Sequence, residues 1–153
     1  MSLHHATVAW KLEAGAEFTA GKYSRAHDLD FGLGLVVPGS PSPQVVPAPW
    51  SRDGAVDPEA AFVASLSACH MLWFLDLAAN AGWTVESYRD AAEGTLGRIA
   101  PRKMGMTRVT LRPAIEFVGK QPSAEELAAL HHEAHERCFI ANSVTTEVGV
   151  EAG

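Results

Sequence analysis

The sequence predicts an α+β fold in one compact domain over residues 1–153. With 153 residues, 47% of them hydrophobic and 20% charged, the chain is long enough for one substantial core and short for two. Strand-like segments come first and a long apolar helix follows, then further strands, a second helix and a last strand. This order favours α+β over a parallel α/β arrangement.

The first third of the chain predicts antiparallel strands and then a loop. Apolar residues alternate with polar ones over residues 5–11, and they alternate again over residues 28–37 around Gly32 and Gly34. Residues 38–50 are too rich in proline for a helix or a central strand. We expect a long loop there, of the kind that often carries function.

A long helix is predicted to begin at Asp57-Pro58-Glu59, which combines a capping aspartate, proline at the first helical position and an acid in the first turn. It should run to about Asn80 and end at Gly82. At about 100° per residue, Cys69 falls on the apolar face of this helix, so we expect it to be buried.

The second half predicts two longer strands, a helix and a closing strand. The strands are expected over residues 83–94 and 106–119, with Pro113 marking a bulge or an edge. Ser123 and Glu126 form a capping box for a helix that carries Cys138. Residues 143–151 then predict the last strand.

Charge and composition exclude several classes of protein. The net charge of −6 argues against a nucleic-acid or anionic-membrane surface. No stretch approaches the roughly 18 apolar residues of a membrane span, and the first residues lack the pattern of a signal peptide. We therefore expect a cytoplasmic protein, in which two cysteines more often stay thiols or cycle as a redox pair than form a permanent disulfide.

The two cysteines, Cys69 and Cys138, are the best lead to function. Only a thiolate attacks a peroxide, so a buried thiol needs nearby positive charge, for which Arg25, His27 and His70 are candidates. Cys138 lies near the carboxyl end of its helix, where the dipole disfavours a negative sulfur. Cys69 is thus the better attacking sulfur and Cys138 the better resolving one, unless both are merely small core residues.

Pro58-Glu59, Cys69 about ten residues later, and the Cys138-Phe139-Ile140-Ala141-Asn142 segment together resemble the OsmC/Ohr family of thiol peroxidases. The resemblance implies an intertwined homodimer, with antiparallel sheets wrapped around two central helices. It implies reduction of organic hydroperoxides through a sulfenic acid on Cys69 and a Cys69–Cys138 disulfide, in peroxide stress defence. A dithiol reductant, lipoyl-type or other, would restore the thiols, without any metal or bound cofactor.

The family also uses an arginine that is held by the glutamate of the Pro-Glu dipeptide, and Glu59 matches that glutamate. Arg25 is the first choice for the arginine and Arg52 the second. Glu59 lies about 15 Å along the helix axis from Cys69, so it could act only through such a bridge. His70 departs from the family pattern, and we expect it to be a hydrogen-bonded packing residue rather than a group that tunes the sulfur.

Two other functions remain open from the sequence. His131, His135 and Cys138 share one helix face and are acceptable zinc ligands, although no fourth ligand is evident and solvated histidines explain His131, His132 and His135 more simply. A non-catalytic protein of the same fold could instead bind an apolar ligand. Phe139 and Ala141 depart from the usual residues beside the second cysteine, which suggests a subgroup with its own substrate.

Overall fold

The computed structural model describes residues 1–151, and within them the α+β prediction is confirmed. The chain divides into two compact units, the first ending at Ala61 and the second beginning at Phe62. A single domain over residues 1–153 stays a prediction. Each unit is described below by itself.

The first unit contains a three-stranded antiparallel sheet in the order β1-β2-β3. Its strands are β1 (Thr7–Ala9), β2 (His27–Asp30) and β3 (Val36–Gly39). The single strand expected over residues 28–37 is therefore wrong, since the chain reverses between β2 and β3. The proline-rich loop is confirmed from Ser40 onward, with β3 taking the first two residues of the segment.

The reversal is made by backbone conformations that a continuous strand cannot adopt. Gly32, Leu33 and Gly34 have φ angles of 80°, 52° and 80°, all in the left-handed region that glycine tolerates best. The Asp30 carboxylate accepts a hydrogen bond of 2.7 Å from the Gly32 amide, as aspartate does in turns. The alternation of apolar residues over residues 28–37 predicted one continuous strand, so this turn was not predicted.

Helix α1 (Pro58–Asn80) begins and ends as predicted. The Asp57 carboxylate accepts a 2.8 Å hydrogen bond from the Ala60 amide, and Gly82 beyond the last turn has a φ of 84°. The buried residues recur every fourth position, in a stripe formed by Leu66, His70, Phe74 and Ala78. Cys69 flanks this stripe and is half-buried, so the expectation that it is fully buried is wrong.

By length and composition alone, α1 is long and apolar enough to cross a membrane. The expectation that no stretch has those properties is therefore wrong. The core helix of a water-soluble protein meets the same criterion, and α1 packs its stripe against strands and a second helix of its unit. The property is weak evidence for a membrane span.

Over residues 62–151, the second unit contains five strands where the sequence predicted three. β4 (Val85–Asp90) pairs with β7 (Pro113–Phe117), and β5 (Glu93–Ala100) pairs with β6 (Lys103–Leu111), both antiparallel. The strand expected over residues 106–119 is divided before Pro113, which begins β7 because it lacks an amide donor. β8 (Glu147–Val150) lies parallel to β6, against the expectation of antiparallel sheets alone.

Helix α2 (Ala124–Arg137) has the predicted capping box: Ser123 and Glu126 exchange hydrogen bonds of 3.2 Å and 2.7 Å. Cys138 is the residue that ends the helix rather than a member of it. Its amide still bonds the His135 carbonyl at 3.1 Å. The sulfur therefore lies at the carboxyl end of α2, as the sequence predicted.

Two buried clusters form the core of the second unit. One joins Leu66 of α1 to Val109 and Leu111 of β6. The other joins Phe74 and Ala78 of α1 to Ala134 of α2, and Leu127, Leu130 and the β4–β7 pair pack around it. Apolar packing thus holds the face of α1 that carries His70 against β6 and α2.

Candidate active site

The structure brings the two predicted sulfurs together at the end of α2. The Cys69 thiol lies close enough to the Cys138 thiol to help raise the pKa of that group. Cys138 is only 1% exposed, whereas Cys69 is half-buried. Both cysteines are free thiols here. A peroxide could therefore reach Cys69 more easily than Cys138.

The Cys138 thiol is a weak acid in this position. Burial, followed by the neighbouring Cys69, raises its pKa to about 11, while backbone amides of Ala141 and Ile140 oppose the shift. The Ala141 amide donates a 3.3 Å hydrogen bond to Cys138 Sγ. At neutral pH Cys138 is thus a protonated thiol, and a thiolate formed there would still have amide donors beside it.

Aromatic side chains connect α1 to the chain beyond α2 near these sulfurs. Trp73, one turn after Cys69, packs edge-on against Phe139 with 5.6 Å between ring centroids. The Arg137 guanidinium lies 5.6 Å from the centre of the Trp73 ring, which is within cation–π range. Phe139, the residue that departs from the family pattern, is therefore part of the contact between α1 and the Cys138 turn.

A buried pair of histidines links α1 and α2. His70 Nε2 lies 3.0 Å from His131 Nδ1, and the two residues are 1% and 4% exposed. Phe74 stacks on His131 with 4.5 Å between ring centroids. His70 is thus a hydrogen-bonded packing residue, as expected, but the expectation that His131 is solvated is wrong.

Burial keeps both imidazoles neutral. It lowers the pKa of His70 to about 4, with His131 and His135 adding to the shift and Asp90 opposing it. Burial also lowers the pKa of His131 to about 4, again opposed by Asp90. The outer nitrogens, His70 Nδ1 and His131 Nε2, have no hydrogen-bond partner within residues 1–151. Unpaired buried polar atoms cost about 1–3 kcal/mol each, so this pair stabilises the contact between α1 and α2 less than apolar side chains of similar size would.

Asp90 of β4 is the charged group that faces this region. Its carboxylate accepts hydrogen bonds of 2.5 Å from Ser67 Oγ on α1 and 2.6 Å from the Arg112 amide. It also helps burial to raise the pKa of Tyr88 well above its ordinary value. Sequence reasoning missed Asp90 and considered His131 only as a zinc ligand or a solvated residue, because the contacts of both join distant segments.

Arg25 and Glu59, the other predicted site residues, lie in the first unit. The Arg25 guanidinium donates a 3.1 Å hydrogen bond to the Tyr23 carbonyl. It also lies 4.1 Å from the centre of the Tyr23 ring. Within the described part of the chain, neither Arg25 nor Arg52 forms an ion pair with Glu59. Their predicted roles stay predictions.

Comparison with protein-family models matches residues 51–152 to the OsmC-like proteins. The chain belongs to the OsmC-like family. The matched range includes Glu59, Cys69 and Cys138, the residues that carry the resemblance. A comparison with curated proteins gave no match.

Solved structures agree with the OsmC-like fold. A Vibrio cholerae OsmC-like protein of unknown function is 50% identical, with a TM-score of 0.97 and full coverage of both chains. An organic hydroperoxide resistance protein from Elizabethkingia anophelis is 19% identical, with a TM-score of 0.72 over 99% of this chain and 94% of the other. One from Legionella pneumophila is also 19% identical, with a TM-score of 0.62 over 99% and 97%. The last two are evidence for the fold alone.

The zinc site considered from the sequence does not form in this OsmC-like chain. Within residues 1–151, no three histidine, cysteine or carboxylate side chains are arranged to hold a metal ion. His131 Nδ1 is instead bonded to His70, and the Cys138 thiol neighbours Cys69. The i, i+4, i+7 spacing placed His131, His135 and Cys138 near one another along α2 without giving them a common centre.

Proposed function

We propose that this OsmC-like protein is a thiol-dependent peroxidase that reduces organic hydroperoxides, with Cys69 attacking and Cys138 resolving. The observation that carries the proposal is the proximity of two free thiols from segments about seventy residues apart in sequence. A stable core needs no such arrangement, whereas a sulfenic acid that must be converted to a disulfide does. The family includes proteins named for organic hydroperoxide resistance, which supports the same chemistry.

The reaction has three balanced steps. The Cys69 thiolate attacks the distal peroxide oxygen, which breaks the O–O bond and leaves Cys69 sulfenic acid and an alkoxide that takes a proton to become an alcohol. The Cys138 sulfur then displaces hydroxide from the sulfenic acid, and its proton leaves with the hydroxide as water. A dithiol finally reduces the Cys69–Cys138 disulfide by exchange and is itself oxidised to a disulfide.

The difference between the two sulfurs supports this assignment of roles. Cys138 is buried and its pKa is raised to about 11, so it is a poor first nucleophile at neutral pH. Cys138 needs to react only after the neighbouring Cys69 has been oxidised to the electrophilic sulfenic acid. In a pair with this asymmetry, one thiol reacts with the peroxide and the other remains available to form the disulfide.

Arg25 is proposed to stabilise the Cys69 thiolate and the departing alkoxide, with Glu59 orienting the guanidinium and Arg52 as the second candidate. The protein is proposed to act as a cytoplasmic homodimer, with a lipoyl-type or other dithiol as reductant and without metal or bound cofactor. An Arg25→Lys variant would test the guanidinium, because lysine keeps the charge and loses the planar fork of donors.

The test is peroxide consumption by pre-reduced protein with excess dithiothreitol, combined with intact mass after one equivalent of cumene hydroperoxide. We expect faster loss of cumene hydroperoxide than of hydrogen peroxide, and a mass lower by about 2 Da from one disulfide. Cys69→Ser should abolish turnover. Cys138→Ser should react once and gain about 16 Da as sulfenic acid, or more on further oxidation. Sustained turnover by Cys69→Ser would refute the proposal.

A second candidate, binding of an apolar ligand without turnover, is favoured by a pocket of about 440 Å³ in the second unit. The pocket is lined mainly by apolar residues, which include Leu77, Ala81, Trp83 and Leu130. Titration with decanol, followed by tryptophan fluorescence, distinguishes the two functions. Saturable binding that is lost in Leu130→Gln, in a chain that consumes no peroxide, would favour the binding protein.

A further inference from the structure

The imidazole pair, defined as His70 and His131, joins α1, which carries Cys69, to α2, which ends at Cys138. Its 3.0 Å contact is the one hydrogen bond between side chains of α1 and α2 within the described residues. The other contacts found among the described residues of α1, α2 and the turn after α2 are apolar, aromatic or cation–π packing. Packing of that kind tolerates small shifts, whereas a buried hydrogen bond fixes one geometry.

The pair is close to the sulfurs along both helices. His70 directly follows Cys69 on α1, and His131 precedes Cys138 by seven residues, roughly 10 Å along the axis of α2. Because helices transmit displacement along their length, a shift of α2 relative to α1 at His131 would also move the Cys138 sulfur relative to Cys69. Phe74, stacked on His131 at 4.5 Å, restricts the ring further.

We propose that the imidazole pair is a positioning pair that holds Cys69 and Cys138 in register for disulfide formation, and that its protonation releases them. This inference rests on the proposed pairing of the two sulfurs. Two leucines would stabilise the same contact without unpaired nitrogens, so the histidines supply what apolar side chains lack: a directional bond that acid can break.

The surroundings of the pair set the pH at which it should open. His135 on α2 opposes a positive charge on His70, while Asp90 on β4 favours one on either ring. Tyr88 of β4 packs against Phe74 and stays neutral because its pKa is raised. Burial outweighs Asp90 and lowers the pKa of both rings to about 4, so the pair should stay closed at neutral pH and open in acid.

The first test measures positioning at neutral pH, without peroxide. A glutamine at position 70 places its amide nitrogen where histidine has Nε2, whereas asparagine places it near Nδ1 and cannot reach His131. The equilibrium between the Cys69–Cys138 disulfide and dithiothreitol is measured for wild type, His70→Gln and His70→Asn. We expect His70→Asn to lower the equilibrium constant of the disulfide about tenfold, because the two sulfurs are no longer held in register in the reduced protein. His70→Gln and the exposed control His132→Gln should stay within about twofold of wild type.

The second test measures release by acid in a Cys69→Ser background, where Cys138 is the one cysteine left. 4,4′-Dithiodipyridine reacts with thiols in acid, so its rate relative to a free peptide thiol reports exposure of Cys138. We expect this relative rate to rise steeply near about pH 4 while helix content persists by circular dichroism. When His70→Gln is added to Cys69→Ser, the pair has one titrating ring fewer. The rise in the relative rate of Cys138 should then move to lower pH.

Either of two results would overturn the inference. One is a disulfide equilibrium for His70→Asn within about twofold of wild type. The other is an identical acid profile of Cys138 exposure in Cys69→Ser with and without His70→Gln. Neither test depends on peroxidase activity. A chain that reduces no hydroperoxide but shows both effects would refute the proposed function and support the positioning pair.

Discussion

The imidazole pair should make the protein unusually sensitive to mild acid. Unfolded histidines bind protons with an ordinary pKa of 6.5, whereas His70 and His131 in the folded chain do so only near 4. Between these values the unfolded state binds more protons, so the free energy of unfolding falls as pH falls through 6.5 toward 4. Above pH 6.5 the pair contributes no pH dependence.

The magnitude follows from the width of that window. One pH unit corresponds to about 1.4 kcal/mol per group, so each imidazole would lower the stability by about 2.5 kcal/mol at pH 4.5 relative to pH 7. Two such groups would together give about 5 kcal/mol; solvent screening reduces this, and we expect at least about 2 kcal/mol for the pair. That is a large share of the 5–15 kcal/mol typical of a domain.

The assay is urea unfolding at pH 7 and at pH 4.5 for wild type and for His70→Gln/His131→Asn, in which each amide replaces the bonded ring nitrogen. Carboxylates titrate in both proteins, so the difference between their losses isolates the imidazole pair. Wild type should lose at least about 2 kcal/mol more than the double variant, and the exposed control His132→Gln should behave as wild type. Equal losses in wild type and the double variant would refute the reasoning.

Two further predictions follow from the site and the core. When a monothiol attacks the oxidised protein, the mixed disulfide should form on Cys69, because Cys69 is half-buried whereas Cys138 is only 1% exposed. Peptide mapping after alkylation measures this, and a mixed disulfide on Cys138 would contradict it. Ser123→Ala should lower the free energy of unfolding by about 1 kcal/mol through loss of the capping box. Urea unfolding checks the value, with Ser123→Thr as the variant that keeps the cap.

The helices were predictable because their ends depend on local chemistry. Asp57 and Ser123 cap α1 and α2 with hydrogen bonds to amides three residues ahead, and such bonds need no distant partner. The strands were less predictable because apolar alternation hid the glycine and aspartate signal of the β2–β3 turn, and because the β5–β6 turn lacks such a signal. Arg102, with a φ of 61°, lies in the β5–β6 connection, where sequence rules expect glycine or asparagine. The parallel pairing of β6 with β8 joins segments about forty residues apart.

The candidate site was predictable where the type and sequence position of a single residue indicated its role. The Cys69–Cys138 pairing followed from a family resemblance, and the structure brings these two thiols together. The partner of His70 did not follow, since α2 carries His131, His132 and His135 close together and local spacing does not say which one turns inward. A rule would have helped: a histidine in a buried stripe needs a polar partner on the element packed against it.

The chemistry of Cys138 shows how local and distant causes combine. The helix end was expected to disfavour a thiolate there, but burial and Cys69 are the larger causes of its raised pKa, and the Ala141 amide opposes them. This balance suits a sulfur that must stay protonated until its neighbour is oxidised. Burial serves this requirement, and the amide offsets it only in part. A substitution that exposed Cys138 would therefore speed its direct oxidation and weaken the division of labour between the two sulfurs.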